Sequence, residues 1–228
     1  MSYFANKTVV VLGATGILGQ LTAQDLRQRG ADVRLIVRSP NSLAAALRDL
    51  PVAVADITKR GEVAAALTAV SQGQSLDGII NCTGVVAFGN FSELSDEVAQ
   101  EVMAVNALGV INVISLATTS LNPEGFLASF TGVAADMTIA GMGAYCASKA
   151  AAKTAIGVAA RELRRQKIRV LDIRAPHTET GLITRALEGT APKMPEGLQP
   201  QAVIDRVLDA IAMGEKDLPA EAFAEQSN

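Results

Sequence analysis

Lys7-Thr8-Val9-Val10-Val11-Leu12-Gly13-Ala14-Thr15-Gly16-Ile17-Leu18-Gly19 is the stretch that decides the fold. Val9 to Leu12 form an apolar, mostly β-branched run, the pattern of a strand buried on both faces. Three glycines follow at GxxGxxG spacing, and Ile17–Arg29 then takes up helical periodicity. Glycines permit the tight strand-to-helix turn and let backbone N–H groups approach a pyrophosphate held at the positive helix end. The usual dinucleotide fingerprint is GxGxxG, and a glycine turn by itself also serves plain packing. Its place after the first strand makes Gly13, Thr15, Gly16, Ile17, Leu18 and Gly19 candidate cofactor contacts.

The same alternation continues outward. Strands are predicted at Asp32–Arg38, Val52–Ala55, Gly78–Asn81, Gly125–Thr131 and Ile168–Ile173. Between them, Asn41 caps a short helix through Asp49, Lys59–Val70 is helical, and a long helix runs from Ser95 or Asp96 to about Thr119. Helices follow over Tyr145–Gln166 and Pro200–Met213. Six strands alternating with helices imply right-handed crossovers and a doubly wound parallel α/β sheet in a single domain.

Composition excludes several classes. The 228 residues carry 20 Lys and Arg against 23 Asp and Glu, a net charge of −3, which gives no electrostatic hold on nucleic acid or an anionic membrane. With 49% hydrophobic and 19% charged residues, the chain is not disordered. Cys82 and Cys146 build no disulfide framework, which points to a reducing, cytoplasmic setting. No targeting peptide and no unbroken apolar run of membrane length is read. His177 is the single histidine, and no cluster has metal-ligand spacing, so no metal is expected.

At the end of the second strand stand Arg38 and Ser39, where an NAD-binding protein commonly has an acid for the ribose 2′-OH. A guanidinium and a hydroxyl suit a 2′-phosphate, so NADP(H) is expected over NAD(H). Asp56, with Ile57 beside it, follows the third strand. It suits either the adenine amino group or the cap of the next helix. Tyr145-Cys146-Ala147-Ser148-Lys149 puts a phenol and an ammonium at i and i+4, on one helix face. A neighbouring cation is expected to lower the phenol pKa toward working pH, so that it can give a proton to a carbonyl oxygen.

Taken together, these residues resemble a short-chain dehydrogenase/reductase over about residues 7–180. Gly13, Gly16 and Gly19 match the family's cofactor turn, and Asp56 its Asp after the third strand. Asn81-Cys82-Thr83-Gly84 stands for its Asn-Asn-Ala-Gly, with Asn106, Tyr145, Lys149 and Pro176 also in family order. The resemblance implies a Rossmann-type fold with Tyr145 as general acid or base. Lys149 would hold the nicotinamide ribose, and Asn106 would kink its helix in a proton relay. His177 and Thr178 after Pro176 are also counted as cofactor contacts: the Thr178 hydroxyl resembles the family's nicotinamide-contacting threonine in a different register, and His177 either reaches a phosphate or substrate or is structural. A homodimer through the two long helices, a lid at about 179–195, and a carbonyl or alcohol substrate also follow from it.

The match departs at the catalytic serine. Thirteen residues before Tyr145 stands Gly132, which has no hydroxyl. Thr131, one residue earlier, serves either as a substitute donor or as a packed strand residue. A missing oxyanion donor costs on the order of 10²-fold in turnover. The expected activity is therefore an NADP(H)-dependent oxidoreductase, with a weak or inactive dinucleotide-binding sensor as the alternative. An epimerase or dehydratase is a third reading. The C-terminus, Gly214 onward, lacks the family's Val-Asp-Gly-Gly-like tail, and no seventh strand is predicted there.

Overall fold

The computed structural model describes residues 2–226. Among these described residues, seven parallel strands form one sheet in the order β3-β2-β1-β4-β5-β6-β7. They are β1 Thr8–Leu12, β2 Asp32–Val37, β3 Val52–Val54, β4 Leu76–Asn81, β5 Leu121–Phe130, β6 Arg169–Ile173 and β7 Asp217–Leu218. This is the Rossmann-type doubly wound sheet expected from the alternation. Chain order reverses between β1 and β4, and the crevice beyond their carboxyl ends is where ligands settle in such sheets.

Strand alternation sorts the core into two layers. Val9 and Val11 of β1 face α1 (Ile17–Gln28) and α6 (Pro200–Met213), packing with Leu26, Val203 and Val207. Val10 and Leu12 face the other way, toward α2 (Arg60–Ser71), α4 (Gly109–Ser120) and α5 (Gly143–Glu162). Each side chain so buried contributes about 1.5–3 kcal/mol, which is why β1 reads as a continuous apolar run.

Three local expectations are corrected. Asn41–Asp49 is not a helix but two 3₁₀ turns, Pro40–Ser42 and Ala45–Leu47, and Ser39 rather than Asn41 caps the first. Leu43 and Ala44 are extended, which breaks the helix and lets both Leu43 and Leu47 reach the core. The tail does add a seventh strand, with Asp217 and Leu218 in parallel register with Asp172 and Ile173. The long helix is not uniform either: α3 (Asp96–Met103) passes through a π turn, Ala104–Leu108, into α4. Within Asp96–Ser120 an 18-residue window is apolar enough to cross a bilayer, with mean hydropathy 1.7, yet the helix's buried residues pack on the sheet and on α5.

Candidate active site

A cleft of about 810 Å³ opens at the carboxyl ends of the strands. One end is the β1–α1 turn, where Gly13, Thr15, Gly16, Ile17 and Leu18 line it. Gly13 has φ +83°, and a Cβ there would meet Thr83 Cγ2 at 3.0 Å and the Cys82 carbonyl carbon at 3.1 Å. Gly16 caps α1 without any side-chain hydrogen bond, so the first helical N–H groups are left for a ligand. Gly19 lies behind the cleft rather than in its wall: a Cβ there would come within 2.4 Å of the Gly13 carbonyl oxygen. Its role is to let the helix sit against the turn.

Arg38, Asp56 and Ile57 line the same cleft, whereas exposed Ser39 lies outside its lining. Asp56 Oδ1 accepts the Thr58 N–H at 2.9 Å and the Thr58 hydroxyl at 2.8 Å. Burial pushes this carboxyl up, but the Thr58 bonds and the Lys59 and Arg38 charges hold it below its ordinary value. Asp56 does not cap α2, whose N-cap is Lys59; instead it closes the turn before it. After β4, Cys82, Thr83 and Gly84 line the cleft while Asn81 is buried beneath it. The Asn81 amide organises that loop, accepting Thr83 N–H at 3.1 Å and donating to Ser129 Oγ at 3.2 Å. Burial pushes the Cys82 thiol up to about 12, which leaves it unreactive.

Tyr145 and Lys149 stand at the other end of the cleft, on the first turns of α5. Lys149 Nζ lies 5.8 Å from the centre of the Tyr145 ring and donates to the Phe130 carbonyl at 3.1 Å. Asn106 sits inside the π turn and is buried. Its Oδ1 accepts Val85 N–H at 3.0 Å, and its Nδ2 donates to the Val85 carbonyl at 2.8 Å and to Ser148 Oγ at 3.0 Å. The π turn thus aims one amide at both the β4 loop and α5. A methyl on Gly84 would lie 3.3 Å from Lys149 Nζ and 3.4 Å from Asn106 Oδ1, so glycine leaves that approach open.

The electrostatics differ from the expectation that Lys149 depresses the tyrosine pKa. Burial pushes the Tyr145 phenol up to about 12 and the Lys149 ammonium down to about 8, the Asp172 charge partly opposing the latter. Removal from water is the main cause of both shifts, and Lys149 does not lower the phenol. At neutral pH the phenol holds its proton and the lysine is mostly charged.

Thr131 touches the cleft wall, but its side chain is fully buried and its hydroxyl donates to Asp172 Oδ1 at 2.5 Å. Its one proton is committed to that carboxylate and not to a substrate oxygen. Gly132 has φ +77° and ψ 163°, a conformation essentially restricted to glycine. Past β6, Pro176, His177 and Thr178 line the cleft. Thr178 Oγ1 donates to the Pro176 carbonyl at 2.9 Å, and His177 Nε2 lies 3.4 Å from Glu179 Oε1.

Much of the following segment, from Glu179 to Pro195, lines the cleft as well. Leu187 N–H donates to the Val86 carbonyl at 2.9 Å, and Phe88 N–H to the Glu188 carbonyl at 2.9 Å. Glu188 also accepts Ser95 Oγ at 2.5 Å, at the start of α3. These contacts, together with the Asp172 and Arg174 pair beneath the site, escaped the sequence reading. They join segments far apart in the chain and leave no local pattern. Val86, Phe88, Ala134, Met142 and Cys146 form a small apolar cluster around Tyr145, with Ile139, Leu182 and Ile183 against it.

Comparison with known proteins agrees with this geometry. A family model described as short chain dehydrogenase matches residues 7–190. An uncharacterised oxidoreductase of Methylorubrum extorquens is 30% identical over 219 residues, covering 90% of this chain and 86% of the relative. A 2-(S)-hydroxypropyl-CoM dehydrogenase of Xanthobacter autotrophicus is 30% identical over 156 residues, 64% of this chain and 61% of its own. A crystal structure of a short chain dehydrogenase from Burkholderia cenocepacia in complex with NADP superposes with TM-score 0.83 at 26% identity, covering 99% of this chain and 92% of that one. With the sheet order, the glycine turn and the Tyr145–Lys149 pair at one cleft, the matches establish that this chain belongs to the short-chain dehydrogenase family.

Proposed function

We propose that the chain is an NADP(H)-dependent oxidoreductase acting on an apolar carbonyl or alcohol, with Tyr145 as general acid in reduction. The observation that carries this is that Tyr145 and Lys149 share one cleft with the uncapped start of α1. The residues fit a nicotinamide dinucleotide: Gly84 keeps the approach to Lys149 open, while Gly13 and Gly19 let the β1–α1 turn pack closely against the β4 loop and the start of α1. Gly13, Thr15, Gly16, Ile17 and Leu18 would hold the pyrophosphate, Asp56 and Ile57 the adenine end. Thr83, Gly84, Tyr145, Lys149, Pro176, His177 and Thr178 would surround the nicotinamide half. The nicotinamide supplies the hydride when bound. Tyr145 supplies the proton to the carbonyl oxygen, and Lys149, held by the Phe130 carbonyl, keeps a positive charge beside it. Asn106 fixes the loop and helix that face each other across this point.

On this reading the segment 179–195 is a lid, joined to Val86–Phe88 and to Ser95, whose apolar side chains shut water out. The cluster around Val86, Phe88 and Met142 favours neutral, apolar ketones, aldehydes or quinones. A homodimer would pair the outer faces of α4 and α5, where Ile111 and Val158 are exposed. Free Cys82 and Cys146 suit a reducing, cytoplasmic setting. The test is consumption of NADPH with a panel of apolar carbonyl compounds; no turnover with any of them sinks the reductase reading.

Cofactor choice follows from Arg38. Arg38→Ala is expected to weaken NADPH binding about 10- to 100-fold, the range for one lost charge-assisted hydrogen bond, and to leave NADH within about twofold. Fluorescence titration with both nucleotides reads this directly. Equal losses for the two would remove the 2′-phosphate argument.

Gly132 keeps the second reading alive, a dinucleotide-binding protein with little turnover. Restoring the family's hydroxyl as Gly132→Ser is expected to fail. There is room for the side chain, the nearest atom being the Ala175 carbonyl oxygen at 3.8 Å from a Cβ. The backbone conformation, however, costs about 1–3 kcal/mol for any residue but glycine. Thermal melting should fall and turnover should not rise; a tenfold gain in kcat would show that the loop readily takes the other conformation.

A further inference from the structure

Below Tyr145 and Lys149 lies a connected group of charges for which the reduction has no stated use. Asp172, in β6, is 6% exposed. Its Oδ1 accepts the Thr131 hydroxyl at 2.5 Å and its Oδ2 accepts Arg174 Nη1 at 2.6 Å. Arg174 also holds both oxygens of Asp217 in β7, at 2.7 and 2.9 Å. Arg174 Nε lies 2.8 Å from Asp136 Oδ2, a close ion pair not aligned as a hydrogen bond. Asp136 is paired in turn with Lys153 of α5.

The charges do not cancel. Asp136, Asp172 and Asp217 carry three negative charges against two positive ones on Arg174 and Lys153, so 2 − 3 leaves −1. Lys149 stands one helical turn before Lys153 and is itself buried. A buried ammonium needs a counter-charge, because burial of an unpaired one is costly. The connection is two residues long. Phe130, the last residue of β5, gives its carbonyl to Lys149, and Thr131 next to it gives its hydroxyl to Asp172. Of the titratable groups about Lys149, Tyr145 is uncharged at neutral pH. Arg174, Asp136, Asp217 and Lys153 reach it through the Asp172 group, and Asn106 and the Phe130 carbonyl are neutral.

We propose that Asp172 is a positioning residue of the active site, which fixes the β5 terminus through Thr131 and serves as the counter-charge of Lys149. The inference rests on the reading of Lys149 as part of the catalytic pair. It gives the Thr131 hydroxyl a part in holding the lysine, in place of contact with the substrate. The field of Asp172 acts on Lys149 in the required sense, against the effect of burial.

The test reads Lys149 directly in the ligand-free protein, by pH titration of the lysine Cε resonance in ¹³C-lysine-labelled chain, assigned with Lys149→Arg. The wild-type midpoint is expected at about 8. Asp172→Asn should lower it by about one pH unit, a tenfold change in the protonation constant. Thr131→Val, which keeps the charge and removes the hydroxyl, should lower it by less than half as much. A folded Asp172→Asn with an unmoved or raised midpoint overturns the proposal. If Asp172→Asn does not fold, Asp217→Asn replaces it, since that side chain is 56% exposed and belongs to the same group. It must move the midpoint down by a smaller amount, and no downward movement overturns the proposal equally. No substrate enters the measurement, so an enzyme without a found carbonyl substrate does not spoil it. Conversely, an unmoved midpoint leaves the reductase reading standing.

Discussion

Tyr145→Phe should cut carbonyl reduction by about 10³-fold or more, toward the upper part of the range for loss of a general acid, while NADPH binds as before. The loss is large because the site has little to fall back on. Gly132 offers no hydroxyl, and the Thr131 proton is on Asp172. Phenylalanine keeps the ring among Val86, Met142 and Ile139, so folding and cofactor affinity should change little. Single-turnover rates with NADPH and any substrate the wild type reduces would measure it. Loss of less than tenfold would mean that the phenol is not the proton donor. The pH dependence has a definite sign. Burial holds Tyr145 at about 12, so its proton is present throughout neutral pH. Lys149, lowered to about 8, is charged below that value and loses its charge above it. Reduction should therefore slow as pH rises through about 8, long before the phenol ionises.

What the sequence made legible was the part of the fold encoded locally. Lys7 to Gly19 contains its own strand, turn and helix start, and the structure places β1 at Thr8–Leu12 and α1 from Ile17. Tyr145 and Lys149 are a helical turn apart by covalent geometry, so their pairing needed only the right helix. Other features depend on contacts across the sheet. The register that sets Ser129 against Asp172, and Phe130 against Ile173, joins residues more than forty positions apart. Strand alternation puts Thr131 on the same side as Ser129, but no local pattern shows a carboxylate waiting there. β7 is two residues long and is tied by Arg174 to Asp217, too short for a periodicity signal. The π turn at Asn106 is likewise set by what its amide binds, Val85 and Ser148.

Gly19→Ala should be the most damaging small substitution in the cofactor turn, with Gly16→Ala far milder, although both glycines belong to the same motif. At Gly19 a Cβ would lie 2.4 Å from the Gly13 oxygen, 2.7 Å from its carbonyl carbon and 2.9 Å from Ala14 Cα. All three are backbone atoms, so no side chain can swing aside. Gly13 cannot retreat either: its own Cβ position is closed by Thr83 and Cys82, and its N–H is bonded to the Ile36 carbonyl at 3.0 Å. Helix α1 must then move off the turn and take its free N–H groups with it. Overpacking of this kind costs about 1–3 kcal/mol or more in stability. NADPH affinity should fall about 100-fold, because the anion site is made of those N–H groups. At Gly16 the nearest atom to a Cβ is the Gly13 oxygen at 3.5 Å, ordinary contact, and its φ of −86° suits any residue. Thermal melting and NADPH titration of the two variants side by side would decide the matter. Equal losses would mean that the turn tolerates neither methyl for a reason other than crowding against Gly13, and the assignment of Gly19 as a packing glycine would have to be given up.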